Sequence, residues 1–132
     1  LAARRLDDAR PLVEKAVSLQ PDWVDARLEL AELLVARGRP HEAVAACREA
    51  IRLQPDHARA HLRLADALAA DKQGPAAVAS LEEAVRLDPR LWEARYLLGV
   101  EYALADRIDA ARDQFLEVVR LKPDHVREIG AV

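Results

Sequence analysis

Several residue types are scarce in this 132-residue chain. It has one cysteine, Cys47, which cannot form an intramolecular disulfide, so the fold does not depend on oxidation. Aromatic residues make up 4% of the chain and glycine occurs four times, whereas 52% is hydrophobic, mostly alanine and leucine. Alanine and leucine lead the helix-propensity scale. The composition therefore predicts close-packed helices.

An excess of one charge sign and long apolar runs are also missing. The 20 basic and 23 acidic residues are interspersed and leave a net charge of −3. Because no basic stripe is available for phosphates, nucleic acid is not expected as a partner. No apolar run approaches membrane-spanning length and no signal peptide is recognisable, which argues against membrane insertion. The compartment stays open, with the cytoplasm slightly favoured over the periplasm.

Residue patterns that carry catalysis are not found. There is no Ser–His–Asp arrangement, no paired-carboxylate pocket and no glycine-rich phosphate loop, so neither an enzyme nor a cofactor site is expected. His57 and His61 are four residues apart and share a helix face if the helix begins there, which is a weak metal signal. We interpret His57 as a loop residue and His61 as a packing residue. Cys47 is interpreted as a small buried hydrophobe.

A repeat with a fixed period is the strongest feature of the chain. A Leu-x-Pro signature recurs every 34 residues, and each of the first three is followed by one apolar helical pattern, a turn and a second helical pattern. A fixed period of this length marks a stacked array of helix pairs. The signature pairs are Leu19/Pro21, Leu53/Pro55, Leu87/Pro89 and Leu121/Pro123.

The period divides the chain into one array covering residues 1–132. Residues 1–23 are expected to be the second helix of a truncated repeat, with a break near Arg5. Because the chain starts in mid-repeat without Met, we interpret it as part of a longer protein. Gly38 suits the left-handed turn between two helices, whereas Lys72 at the equivalent position predicts a locally different turn. The complete repeats are 24–57, 58–91 and 92–125, followed by 126–132 as the start of a truncated or capping helix from Val126 to Ile129.

The spacing of small and large residues resembles the tetratricopeptide repeat. Its Leu–small pair is matched by Leu30-Ala31, Leu64-Ala65 and Leu98-Gly99. The first alanine of its second helix is matched by Ala9, Ala43, Ala77 and Ala111. The usual Trp at the fourth position is instead Arg27, His61 and Arg95.

The resemblance implies an all-α fold, a right-handed α-α helical solenoid of antiparallel helix pairs. It further implies a protein–protein interaction module that binds a peptide or an amphipathic helix in its concave groove. An accessory region of a larger bacterial enzyme, such as a glycosyltransferase, or of a cell-envelope export protein is the alternative. The family's groove positions fall on Asp25, Leu28, Glu29, Glu32, Val35, Arg59, Leu62, Arg63, Asp66, Glu93, Tyr96, Leu97, Val100 and Leu104.

Two interpretations of these positions are open. The charges either pair between neighbouring repeats or form an acidic-then-basic ladder that orients a partner. Leu28, Leu62, Tyr96 and Val100 are expected to form an apolar strip, with Tyr96 as the best anchor. Self-association through the solenoid ends is also predicted, because Phe115, Val118 and Val119 are expected to be poorly covered. Trp23 and Trp92 are expected to pack at repeat junctions.

Overall fold

A computed structural model describes residues 2–19 and 23–122, with side chains from Pro11 onward. The described residues form seven helices and no strand, as the all-α prediction requires. The 34-residue sequence period is therefore a period of helix pairs joined by short turns. The helices are α1 (Ala2–Leu19), α2 (Val24–Ala36), α3 (Pro40–Leu53), α4 (Ala58–Ala70), α5 (Gly74–Leu87), α6 (Trp92–Leu104) and α7 (Ile108–Leu121).

Each first helix packs on two second helices, its own partner and that of the preceding repeat. Thus α4 contacts both α5 and α3, and α6 contacts both α7 and α5. Small side chains permit this close approach, since Ala43 and Ala77 are completely buried and Ala111 is 3% exposed. Leu62, Leu68, Leu81 and Cys47 are the largest side chains that are fully enclosed. The result is one continuous core running along the array.

The three turns within the helix pairs share one geometry. Gly38, Lys72 and Asp106 all have positive φ, at 76°, 62° and 60°. In each turn the next amide donates to a carbonyl five residues earlier, as Gln73 N does to Leu68 O at 2.8 Å. This pattern is the Schellman motif, which satisfies the last carbonyls of the first helix. The prediction of a different turn at Lys72 is therefore wrong, because the helix-end hydrogen bonds impose the left-handed conformation on a non-glycine residue.

The first helix differs from its prediction. It is continuous from Ala2 to Leu19 and contains Pro11, so the expected break near Arg5 is wrong. The loss of one backbone hydrogen bond at a proline does not by itself end a helix. The short helix predicted from Val126 to Ile129 lies outside the described residues.

The exposed apolar surface at the end of the described array also differs in detail from the one predicted from the sequence. Val118 is only 2% exposed and therefore belongs to the buried residues, contrary to the prediction. Phe115 is half-buried against the core, and Val119 is 43% exposed. Trp23 is 47% exposed at the start of α2, so the expectation that it packs at a junction is wrong, whereas Trp92 is half-buried.

Candidate functional site

The first helices α2, α4 and α6 carry all of the predicted groove residues, and we call their shared surface the first-helix face. Asp25 and Glu29 lie on α2, Arg59 on α4 and Glu93 on α6. Since α2 contacts α4 directly, residues that are about one repeat apart in sequence come close in space. The face therefore gathers charged and apolar side chains from three separate stretches of the chain.

Opposite charges pair across neighbouring repeats on this face. Arg59 Nη2 lies 3.4 Å from Glu93 Oε2, and Arg63 Nη2 lies 3.8 Å from Glu32 Oε2. Arg63 also donates to Asp66 Oδ2 at 3.3 Å within α4. These contacts confirm the predicted pairing between repeats, although exposed ion pairs of this kind stabilise a fold by less than about 1 kcal/mol each.

An open cavity of about 320 Å³ lies between α2 and α4 on the first-helix face. Burial raises the pKa of the Asp66 carboxyl, and the nearby Glu32 carboxylate adds to this, whereas the Arg63 guanidinium opposes it. The cavity thus combines apolar walls with a carboxyl group that is poorly solvated. Four predicted groove residues line it, Glu32, Val35, Arg63 and Asp66, together with Ala31 and Ala36.

The predicted apolar strip is only partly on the surface. Leu28 and Leu62 are 7% and 2% exposed and belong to the core, so the expectation that they offer contact area to a partner is corrected. Tyr96, at the equivalent position of α6, is half-buried, and its ring centroid is 6.0 Å from that of Phe115.

Apolar surface is available further along α6. Val100 and Leu97 are half-buried, whereas Leu104 is 77% exposed. Leu104 borders a second open cavity of about 520 Å³ between the start of α5 and the end of α6. The first-helix face therefore has a cavity beside its charged residues, whereas the cavity beside Leu104 lies between α5 and α6. The second cavity is lined by Gly74, Pro75, Val78, Glu101, Leu104, Ala105 and Arg107.

Polar residues at the fourth position of the first helix have a structural role that the sequence analysis missed. His61 Nε2 donates to the Pro55 carbonyl at 3.0 Å, and Arg95 Nε donates to the Pro89 carbonyl at 2.9 Å. Each bond ties a first helix to the loop that precedes it. The available signal was the constant six-residue distance between the proline and a side chain able to donate.

His57 and Cys47, considered above for metal binding and for nucleophilic chemistry, both have structural roles in the fold. His57 precedes α4, where its Nδ1 accepts from the Ala60 amide at 3.2 Å, and its Nε2 lies 3.6 Å from Asp25 Oδ1. Burial raises the pKa of the Cys47 thiol to about 12, with a smaller effect from the Asp66 carboxylate. A protonated, enclosed thiol is a poor nucleophile. Cys47 thus packs as a small apolar side chain.

The described residues were also compared with the requirements of a metal site and of a membrane-spanning helix. Within residues 2–19 and 23–122, no three His, Cys, Asp or Glu side chains are grouped so that they could hold a metal ion. Among these same helices, none is both long and apolar enough to cross a bilayer.

Known structures share this fold. The chain superposes on MamA from Desulfovibrio magneticus RS-1 with a TM-score of 0.80 and 23% identity, covering 90% of this chain and 67% of that one. For a thermophilic TPR protein of Thermus thermophilus the TM-score is 0.84 and the sequence identity 24%. The match covers 96% of this chain and 72% of that one. YrrB is described as a TPR protein with an unusual peptide-binding site. Its TM-score is 0.80 and its sequence identity 23%, and the match covers 97% of this chain and 66% of that one. No curated protein sequence matches the chain.

The sequence model of one family matches nearly the whole chain. Its three matches cover residues 1–56, 28–91 and 73–126, in the same order as the helix pairs described above. They agree with the structural neighbours, two of which are described as TPR proteins. The chain belongs to the tetratricopeptide repeat family.

Proposed function

We propose that the chain binds a segment of another protein, a peptide or an amphipathic helix, on its first-helix face. Tetratricopeptide repeats serve as protein-interaction scaffolds, and the family pattern covers residues 1–126 of this chain. The segment would lie across α2, α4 and α6. Apolar contact would come from Val35, Tyr96, Leu97, Val100 and Leu104, with the charged residues at its margins.

The cavity between α2 and α4 is the observation that carries this proposal. Its lining comes from two repeats, and residues such as Glu32 and Arg63 lie 31 positions apart in sequence. An apolar recess with a few converging polar groups is the usual form of a binding site. A partner side chain that enters it would contact Val35 and displace water from Asp66.

The charges of the face favour a basic partner segment. Five carboxylates stand among the predicted groove residues against the two guanidiniums of Arg59 and Arg63. Since both guanidiniums already contact carboxylates of the same face, the uncompensated charge is negative. We therefore propose that the segment carries Lys or Arg beside its apolar anchors. Charges of this kind mainly raise the association rate and fix orientation.

A peptide selected from a displayed library against the purified chain tests the proposal. Leu104→Ala is expected to weaken binding of the selected peptide by about 2 kcal/mol, roughly thirtyfold in Kd, if Leu104 is an anchor. Because Leu104 is 77% exposed, this truncation leaves the fold intact. Tyr96→Ala is expected to have a similar effect, with the melting temperature measured in parallel because the Tyr96 ring contacts Phe115.

Arg52→Ala is the matched control for these variants. Arg52 lies on the second helix α3 and pairs with Glu49 of the same helix at 2.5 Å. Its truncation is expected to leave binding unchanged. If Leu104→Ala and Tyr96→Ala both bind as tightly as Arg52→Ala, the segment does not use the first-helix face and the proposal is wrong.

Self-association through the ends is a further part of the proposal. Leu12 and Leu19 on α1 are 72% and 71% exposed, and Ile108 and Val119 on α7 are 58% and 43% exposed. Apolar surface gathered at the two ends of an array favours burial against another copy. The dependence of molar mass on concentration measures it directly.

A further inference from the structure

The cavity between α5 and α6 contains a half-buried carboxylate, that of Glu101. Of the seven residues that line this cavity of about 520 Å³, only Glu101 and Arg107 are charged, whereas Pro75, Val78 and Leu104 give it apolar walls. Within the part of the chain that the structure describes, the Glu101 carboxylate forms no hydrogen bond and no ion pair. It is therefore an acidic group without a protein partner in mainly apolar surroundings.

The glycine at the start of α5 leaves room for this carboxylate. A Cβ added at Gly74 would lie 3.4 Å from Glu101 Oε2, so the carboxylate lies against the first turn of α5. The first turn of a helix favours a nearby negative charge. No backbone amide of the described residues donates to Glu101, however, so both of its oxygens are available to a cation.

Comparison between repeats shows that the packing does not require an acid at this position. The residues equivalent to Glu101, 34 and 68 positions earlier, are Ala67 and Leu33, which are 0% and 8% exposed. Across the junction, Val44 is 7% exposed, whereas its equivalent Val78 is half-buried. The junction between α5 and α6 is thus more open at this edge than the one between α3 and α4, and a carboxylate replaces a buried alanine.

Arg107 does not neutralise this carboxylate. Its guanidinium carbon lies 4.3 Å from the centroid of the Tyr102 ring, an arrangement that attracts the cation to the ring face. The Tyr102 hydroxyl in turn donates to Glu82 Oε1 at 3.2 Å. Since Arg107 is exposed and Glu101 is half-buried, the inner part of the cavity is acidic.

From these observations we propose that the cavity is a lysine-binding subsite for the partner segment. The aliphatic stem of a partner lysine would lie on Val78 and Leu104, and its ammonium group would contact the Glu101 carboxylate. Long basic side chains commonly bury the stem and keep the charged tip on a polar group. The proposal rests on the segment proposed above and adds a contact to it, because Glu101 is not among the predicted groove residues.

Lysine suits this cavity better than arginine or an apolar side chain. Its ammonium is a compact charge on a flexible stem, whereas a guanidinium presents its donors in a rigid plane. One carboxylate can accept from the ammonium but would leave several guanidinium donors without acceptors among apolar walls. An apolar side chain would bury the Glu101 carboxylate without a partner, which costs free energy.

An NMR titration of the isotope-labelled chain with three small probes tests this recognition without any peptide. The probes are n-butylammonium, which is the lysine side chain alone, its uncharged counterpart n-butanol, and n-propylguanidinium, the side chain of arginine. Butylammonium is expected to cause saturable shifts at the amides of Gly74, Glu101 and Leu104, with a Kd in the millimolar range open to so small a ligand. The other two probes are expected to bind at least about threefold more weakly.

Glu101→Gln is the variant that tests the carboxylate, and Glu29→Gln is its matched control. Glu101→Gln keeps the size of the side chain and is expected to raise the Kd of butylammonium at least about fivefold, because the ion pair is lost. Glu29 is an exposed carboxylate of α2, and its replacement is expected to leave that Kd unchanged. Amide spectra of the free variants that match the wild type away from the changed residue show that each is folded.

Four results of this titration would overturn the proposal. The first is the absence of saturable shifts with butylammonium, and the second is butanol binding as tightly as butylammonium, which would make the cavity merely apolar. The third is an equal effect of the two glutamine variants. The fourth is tighter binding of propylguanidinium, which would assign the cavity to arginine.

The selected peptide separates this proposal from the one for the first-helix face. Each lysine of the peptide is replaced in turn by norleucine, which keeps the stem and removes the charge. One replacement is expected to weaken binding to the wild type at least about fivefold but to have little effect on Glu101→Gln, since the two groups are coupled. Coupling to Glu29 instead, or selected peptides without lysine, would remove the subsite and leave the first-helix proposal intact. Butylammonium binding without any selected peptide would remove the partner segment alone.

Discussion

The helices α5 and α7 occupy the same place in successive repeats, yet their surroundings differ. In α5, Leu81 is 1% exposed and lies in the core. In α7, the equivalent Phe115 is half-buried, and its neighbour Leu116 is 58% exposed where α5 has Glu82. One repeat pattern thus builds an enclosed junction in the middle of the chain and an open apolar surface after the last described pair.

This difference separates residues that form the fold from residues available for recognition. At the enclosed junction, burial of each leucine stabilises the fold by about 2 kcal/mol through the hydrophobic effect alone. An exposed leucine contributes little to folding, so the free energy of burying its side chain can be gained on contact with another molecule. The same distinction applies to Leu62, which is buried, and Leu104, which lies open on the first-helix face.

Truncating Leu81 in α5 and Leu116 in α7 gives the largest expected contrast in the free energy of unfolding. Leu81→Ala is expected to lower the free energy of unfolding by about 3 kcal/mol, because it leaves a cavity in the core. Leu116→Ala is expected to change it by less than about 0.5 kcal/mol. Urea unfolding followed by circular dichroism, at a concentration where the wild type is monomeric, measures both. Equal losses would show that α7 is as enclosed as α5.

Gly99 and Phe115 provide the next test, since they replace the Ala65 and Leu81 of the middle repeat. A Cβ added at Gly99 would lie 2.7 Å from the Phe115 ring, so Gly99→Ala is expected to destabilise the fold by about 1–2 kcal/mol through overpacking. Adding Phe115→Leu recreates the middle repeat's pair and is expected to recover most of this loss. A double-mutant cycle with no coupling between the two changes would contradict this account.

Lys72 and Gly38 sharpen the comparison between turns. Both residues have positive φ, which costs a side-chain-bearing residue about 1 kcal/mol. Lys72→Gly is therefore expected to stabilise the fold by somewhat less than about 1 kcal/mol, since glycine also gains entropy in the unfolded chain. Asp106→Gly is expected to gain less, because aspartate tolerates this conformation better. A loss of stability in Lys72→Gly, measured as a lower melting temperature, would contradict the assigned turn.

Substitution of Asp66 is expected to have the smallest effect on stability, and this effect depends on pH. Its pKa is raised above 3.8, mainly by burial, so folding favours the protonated carboxyl. This stabilisation is complete below pH 3.8 and is lost as the pH rises through the raised pKa of the folded state. Asp66→Asn lacks this loss, so its stability relative to wild type is expected to increase from pH 3.8 towards neutrality. Relative stability that falls over the same range would show that pairing with Arg63 outweighs burial.

Much of the fold is predictable from the sequence because its causes are local and repeated. Pro40 marks the first residue of α3, and Gly38 follows the end of α2, as their backbone preferences require. The periodic alanines identify the closely packed helix faces. Lys72 shows the limit of local reasoning, because its left-handed conformation is set by hydrogen bonds that the preceding helix must satisfy.

The candidate site is predictable only in part because exposure depends on neighbouring repeats. The ion pairs Arg59–Glu93 and Arg63–Glu32 follow from the period, which brings equivalent helices together. Leu28 is buried in the core, and sequence alone does not distinguish a position that neighbouring helices enclose from one in an open groove.

Hydrogen–deuterium exchange of the chain with and without the selected peptide tests the central claim most directly. Binding on the first-helix face predicts slower exchange in α2, α4 and α6 (Val24–Ala36, Ala58–Ala70 and Trp92–Leu104), with α3 and α5 unchanged. Because exchange reports local opening along the backbone, it requires no prior choice of contact residues. Slower exchange confined to α3, α5 or α7 would contradict the assignment of the first-helix face as the binding surface.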